Sequence, residues 1–141
     1  MDSRKEKALE NHKKKYNCCQ AVACAFSDLV GVDEETMFKL AEGFGLGMGG
    51  MEGTCGAVSG AVLIAGLKNS TGNLQAPNSK ADTYRLSREI TQEFLNKNKS
   101  ITCRELKGVE TKVPLRSCDG CIEDAAAIAE RILFAKTANQ K

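Results

Sequence analysis

The sequence predicts an all-α protein: a single-domain helical bundle over residues 1–141, with about five to six helices around a central Gly/Ala-rich helix. Three observations point there. Only two prolines interrupt the 141 residues. Alternating runs of β-branched and aromatic residues, the material of half-buried strands, are absent. Apolar residues recur instead at helical intervals along most of the chain. A chain of this length buries roughly two thirds of its unfolded surface and can hold one core without staples. No internal repeat is present.

Taken in order, a first helix covers Arg4 to Lys14, and a second runs from Asn17 to Val30 with Cys18, Val22, Phe26 and Leu29 on one stripe. A third opens at Asp33, where Glu34 and Glu35 suit the helix dipole, and is expected to bury Met37, Leu40 and Phe44. CGAVSGAVLIAGL then forms a short, nearly all-apolar helix from Cys55, expected to be the central one, with Gly56 and Gly60 four apart as packing positions. Asn69 to Asn78 reads as a loop, and SKADTYRLSREITQEFLNKNK as an amphipathic helix with Leu86, Ile90 and Phe94 in register. A short helix starts near Thr102, where Thr102 and Glu105 have capping-box spacing. After a connection containing Pro114, the last helix runs from Cys118 to about Ala135 with Ile122, Ala125, Ala129 and Ile132 inward.

The charge balance, 20 Lys and Arg against 18 Asp and Glu, gives no electrostatic reason to expect nucleic acid as a partner. The basic N-terminal stretch also carries three acids and reads as a solvated helix face, with the lone His12 on it. That stretch lacks the apolar run of a secretory signal, and AVLIAGL is far too short to insert into a membrane, so the expected location is the cytoplasm. Seven cysteines in that compartment favour metal binding or redox chemistry over structural disulfides.

Four of the cysteines share a position. Asn17-Cys18, Thr54-Cys55, Thr102-Cys103 and Ser117-Cys118 each place a thiol directly after a good N-cap residue, in the first helical turn. Unpaired N–H groups and the positive end of the macrodipole favour a thiolate there, which is the form that attacks a disulfide or binds a metal. The separations of 37, 48 and 15 residues match no zinc knuckle or ferredoxin run, so only the fold can assemble them. Between Gly43 and Gly60 lie eight glycines in eighteen residues, which permit close backbone approach around Cys55 and an N–H nest for its sulfur. Gly53, Thr54 and Gly56 are the cofactor-binding candidates beside it. Phe44, Leu46, Met48 and Met51, threaded through the glycines, argue against a loose loop. Gly45-x-Gly47-x-x-Gly50 is no dinucleotide fingerprint, because a helix precedes it and no acid follows at the required distance.

With those residues in place, the chain resembles the C_GCAxxG_C_C family of redox-active proteins. Tyr16-Asn17-Cys18 with Gln20-Ala21-Val22, the glycine run, Cys55-Gly56-Ala57-Val58-Ser59-Gly60, Cys103-Arg104-Glu105-Leu106, and Cys118 followed by Ile122 through Ala126 fall in family order. The resemblance implies four functional cysteines, Cys18, Cys55, Cys103 and Cys118, and either redox activity or a bound cluster. The chain departs from the pattern at Cys19, beside Cys18, and at Cys121, which makes Cys118-Asp119-Gly120-Cys121 a CxxC at a helix start. Both are alternates for the site. Cys24, inside an apolar helix, reads as core.

Three functions follow for comparison. The first is thiol/disulfide electron transfer by converging cysteines, an oxidoreductase chemistry with Cys55 as the attacking sulfur and an unidentified redox partner. The second is binding of an iron-sulfur cluster or other metal by Cys18, Cys55, Cys103 and Cys118. The third is a structural helical interaction module with core cysteines.

Overall fold

The computed structural model describes residues 3–139, with side chains through 134. Its described residues form seven α-helices and no sheet: α1 (Arg4–Lys13), α2 (Cys18–Ala25), α3 (Glu34–Glu42), α4 (Gly56–Asn69), α5 (Lys80–Asn98), α6 (Cys103–Lys107) and α7 (Cys118–Asn139). No helix is long and apolar enough to cross a membrane.

α4 is the hub, packed by α2, α7 and α5, while α1 lies across α2 and α7, and α3 against α2. Its core-facing residues, Ala57, Val58, Ala61, Ile64 and Ala65, are small or branched, as are Ala125, Ala126 and Ala129 of α7. Small residues bring helix axes close. The tightest approach is at Gly60, where a Cβ would sit 2.9 Å from the Cys19 carbonyl oxygen, and at Gly56, where it would sit 3.1 Å from the Cys19 nitrogen. Both glycines are therefore the contact face of α4 with α2. Phe26, Phe94, Met37, Ile90 and Ile122 complete the core at essentially zero exposure.

Capping fixes the start of α2. Asn17 Oδ1 accepts from the Gln20 N–H at 2.9 Å and Gln20 Oε1 from the Asn17 N–H at 2.9 Å, a reciprocal box. Asn17 Nδ2 also donates to the Glu42 carbonyl, so one side chain starts α2 and closes α3.

Several sequence expectations are corrected. The second helix stops at Ala25 and continues as a single tighter turn, Ser27–Leu29, leaving Leu29 exposed. In α3, Met37 is buried, but Leu40 is 48% exposed; Phe44, just beyond it, is also exposed, because Ala41 takes the next inward position. The glycine run is not packed throughout. Leu46 and Met48 are 46% and 54% exposed, and Gly43, Gly49 and Gly50 face open space. Thr102 and Glu105 form no capping box: the Glu105 carboxylate accepts from the Ser100 hydroxyl, whose oxygen accepts from the Thr102 N–H.

Candidate functional site

α2, α4, α6 and α7 begin at the same end of the bundle, and their starts surround one cavity of about 230 Å³. It is lined by Cys18, Cys55, Cys103, Cys118 and Cys121 together with His12, Lys107 and Arg116. All four cysteines singled out by their caps are on this wall. Of the alternates, Cys121 joins them; Cys19, one residue along α2 from Cys18, is fully buried outside it. Cys24 is buried near the Glu34 carbonyl, away from the cavity.

The local structure delivers each sulfur differently. Cys18 and Cys118 open their helices behind Asn17 and Ser117, whose hydroxyl accepts from the Gly120 N–H at 2.9 Å. Cys55 is not behind a cap but is itself the cap residue of α4. Thr54 is drawn into an isolated antiparallel bridge with Thr102, held by Cys55 N–H to the Ile101 carbonyl at 2.6 Å and Cys103 N–H to the Gly53 carbonyl at 3.0 Å. This bridge puts Cys55 and Cys103 side by side although 48 residues separate them. Gly47, at φ +57°, completes the arrangement, since a Cβ there would lie 2.4 Å from the Cys103 Cβ.

Among the cofactor-binding candidates, only Gly56 lines the cavity. Gly53 donates its N–H to the Gly47 carbonyl at 3.0 Å and so does not offer it to the Cys55 sulfur. The Cys55 sulfur instead receives the N–H groups of Ala57 and Val58 at the start of α4.

The family model for "Putative redox-active protein (C_GCAxxG_C_C)" matches residues 16–132. The chain belongs to this C_GCAxxG_C_C family. No curated protein and no solved structure matches it.

Within this C_GCAxxG_C_C site the sulfurs interact in pairs. Cys18 and Cys118 shift each other's proton affinity, and so do Cys121 and Cys55. Each pair splits its proton affinities: one thiol holds its proton more tightly and the other becomes a thiolate. Cys118 is lowered to about 5, first by Cys18 and then by Lys107, whose Nζ donates to Cys118 Sγ at 3.0 Å, with His12 adding to the effect. Cys55 is lowered to about 7, first by Cys121 and then by the backbone N–H groups, against the cost of burial. Cys18 and Cys121 are raised, first by these partners and then by burial. Cys103 is also raised, by burial.

Two of the four thiols are lowered, Cys55 and Cys118, and only at Cys55 do backbone N–H groups of the helix start contribute. Cys18 is raised instead, first by its interaction with Cys118 and then by burial, and Cys103 because burial outweighs the nearby Lys107 charge.

Three residues of the site carried no role in the sequence reading. Lys107 follows Cys103 by four residues, the spacing that places both on one helix face, and that spacing could have found it. Arg116 folds over the start of α7 to bond the buried Asp124 at 3.0 Å; Gly120 makes room, since a Cβ there would lie 2.4 Å from Arg116 Nε. His12, expected to be solvated, lines the cavity with Nδ1 2.6 Å from Asp119 Oδ1. A contact across 107 residues leaves no local signal.

Soft thiolates are suitable ligands for zinc or an iron-sulfur cluster. The arrangement is less suitable: among the described residues, no group of three or more His, Cys, Asp or Glu side chains is placed to hold one ion.

Proposed function

We propose that this protein is a thiol/disulfide oxidoreductase in which Cys118 is the attacking thiolate and Cys18 the resolving thiol. The observation that carries the reading is the ion pair of Lys107 with Cys118, at a half-buried sulfur whose neighbour Cys18 is a protonated thiol. This moves the role of nucleophile from Cys55, which is 5% exposed, to Cys118.

The chemistry balances within the pair. The Cys118 thiolate attacks one sulfur of a partner's disulfide, forming a mixed disulfide and releasing the partner's second sulfur as a thiolate. Cys18 then attacks Cys118 Sγ, the mixed disulfide breaks, and the Cys18 proton passes to a departing thiolate. The partner gains two electrons, and the protein is left with a Cys18–Cys118 disulfide. A cellular dithiol returns it to the reduced state, consistent with a cytoplasmic setting. A pKa near 5 makes Cys118 fully ionised at neutral pH and a good leaving group on the return step.

Ligation of a cluster or metal by Cys18, Cys55, Cys103 and Cys118 is the reading that the experiment must separate from this one. Reduced protein, purified without oxygen and analysed for metal, is mixed with an aromatic disulfide that releases a coloured thiol. The expected result is a fast phase, insensitive to chelator, that disappears in Cys118→Ser. A fast phase that appears only after chelation, with bound metal lost in the same variant, overturns the proposal.

A further inference from the structure

The Cys118–Cys18 reaction uses two of the five sulfurs around the cavity. Cys55 and Cys121 line the same wall and shift each other's proton affinity, a second pair more enclosed than the first: they are 5% and 3% exposed, whereas Cys18 and Cys118 are half-buried. Four observations join the two pairs. Cys118 and Cys121 are three residues apart on α7, so they are neighbours on one helix face. The start of α4 lies against the start of α2, where a Cβ on Gly56 would sit 3.2 Å from the Cys18 Cβ. All four sulfurs line one void rather than two. Finally, the charge on Cys55 is felt at Cys18, and that on Cys118 at both Cys55 and Cys121.

We propose that Cys55 and Cys121 are an interior disulfide store, which takes over the disulfide formed at Cys18–Cys118 and so frees the accessible pair for a second turnover. This rests on the oxidoreductase reading above. The Cys55 thiolate attacks Cys18 Sγ; a Cys55–Cys18 bond forms, the Cys18–Cys118 bond breaks, and Cys118 leaves as the thiolate that Lys107 already holds. Cys121 then attacks Cys55 Sγ, the Cys55–Cys18 bond breaks, and the Cys121 proton passes to Cys18. The products are a Cys55–Cys121 disulfide, a Cys18 thiol and a Cys118 thiolate. No outside oxidant or reductant enters the transfer, because one disulfide is consumed and one is made. The accessible pair returns to its starting state. One chain therefore accepts two disulfide equivalents, and Cys103, Cys19 and Cys24 remain thiols.

The test is a quenched time course. Fully reduced protein receives one equivalent of hydroxyethyl disulfide, samples are acid-quenched and alkylated under denaturing conditions, and disulfides are mapped by peptide mass spectrometry. The expected sequence is Cys18–Cys118 first, converting to Cys55–Cys121 at a rate independent of protein concentration. A second equivalent then restores Cys18–Cys118 and leaves Cys19, Cys24 and Cys103 alkylated. Cys121→Ala should accept one equivalent instead of two; should that variant fold poorly, the wild-type time course decides alone. A Cys18–Cys118 disulfide that persists while Cys55 and Cys121 stay reduced, or a conversion that accelerates with protein concentration, overturns the store and leaves the oxidoreductase reading standing. Absence of Cys18–Cys118 at every time overturns both.

Discussion

Replacing Lys107 with Met removes the cation hydrogen-bonded to the Cys118 sulfur while keeping a flexible stem of similar bulk. At 3.0 Å, the attraction between unit charges is 332/(80 × 3.0), about 1.4 kcal/mol even with the full screening of bulk water, which corresponds to about one pKa unit. An effective dielectric of about 20 gives about 5.5 kcal/mol, or about four units. That value would account for the entire drop to about 5 and leave nothing for the effect of Cys18, which is the larger cause. The Lys107 share therefore lies near the screened end, and Lys107→Met should raise Cys118 by about one to two units, to between about 6 and 7. The assay is the rate of alkylation at Cys118 against pH, read by peptide mass spectrometry on reduced protein, with Lys107→Arg as the charge-preserving control. A midpoint that stays near 5 in a folded Lys107→Met protein would refute the electrostatic argument.

Gly60→Leu should cost about 1 to 3 kcal/mol of stability by forcing α4 from α2; the nearest obstacle, the Cys19 carbonyl at 2.9 Å, is backbone and cannot rotate away. A urea midpoint equal to wild type would contradict that packing. Gly47→Ala should both destabilise the protein and speed alkylation of Cys103, because the added methyl meets Cys103 at φ +57°; unchanged alkylation would show that the turn does not hold Cys103 in place. Stability should also depend on pH through Cys118. Its folded pKa of about 5 lies below an unfolded value of about 8.5, so its contribution is complete above the unfolded value and is lost as pH falls toward 5. The urea-midpoint difference between wild type and Cys118→Ser should accordingly widen from pH 5 to pH 8.5, and a constant difference would count against a native thiolate.

The sequence was most legible where the cause is local. Asn17 and Ser117 announce the starts of α2 and α7 because a cap acts over three residues, and Gly56 and Gly60 announce the contact face of α4 because only small residues permit it. Leu40 misled for a related reason: helical periodicity marks an apolar stripe but not how wide a stripe the neighbouring helix covers, and Ala41 occupies that contact. The site was legible as a set of thiols and illegible as pairs. Nothing near Cys55 reveals Cys121, and nothing near Cys118 reveals Cys18, because each pairing depends on how four helix starts meet. The same holds for the proton affinities: a helix start predicts a thiolate one sulfur at a time, whereas two interacting thiols place the charge on one of them.

The most direct measurement of the central claim is an equilibrium redox titration. Protein held in buffers of varied reduced-to-oxidised dithiothreitol ratio, with and without chelator, is quenched in acid, and the state of Cys118 is mapped. The account predicts that Cys118 passes from thiol to a disulfide with Cys18 across a two-electron transition that chelator does not move, and that Cys118→Ser leaves Cys18 reduced. Cys18 and Cys118 that stay reduced at every ratio in folded protein, or a transition that appears only when metal is stripped, would contradict it.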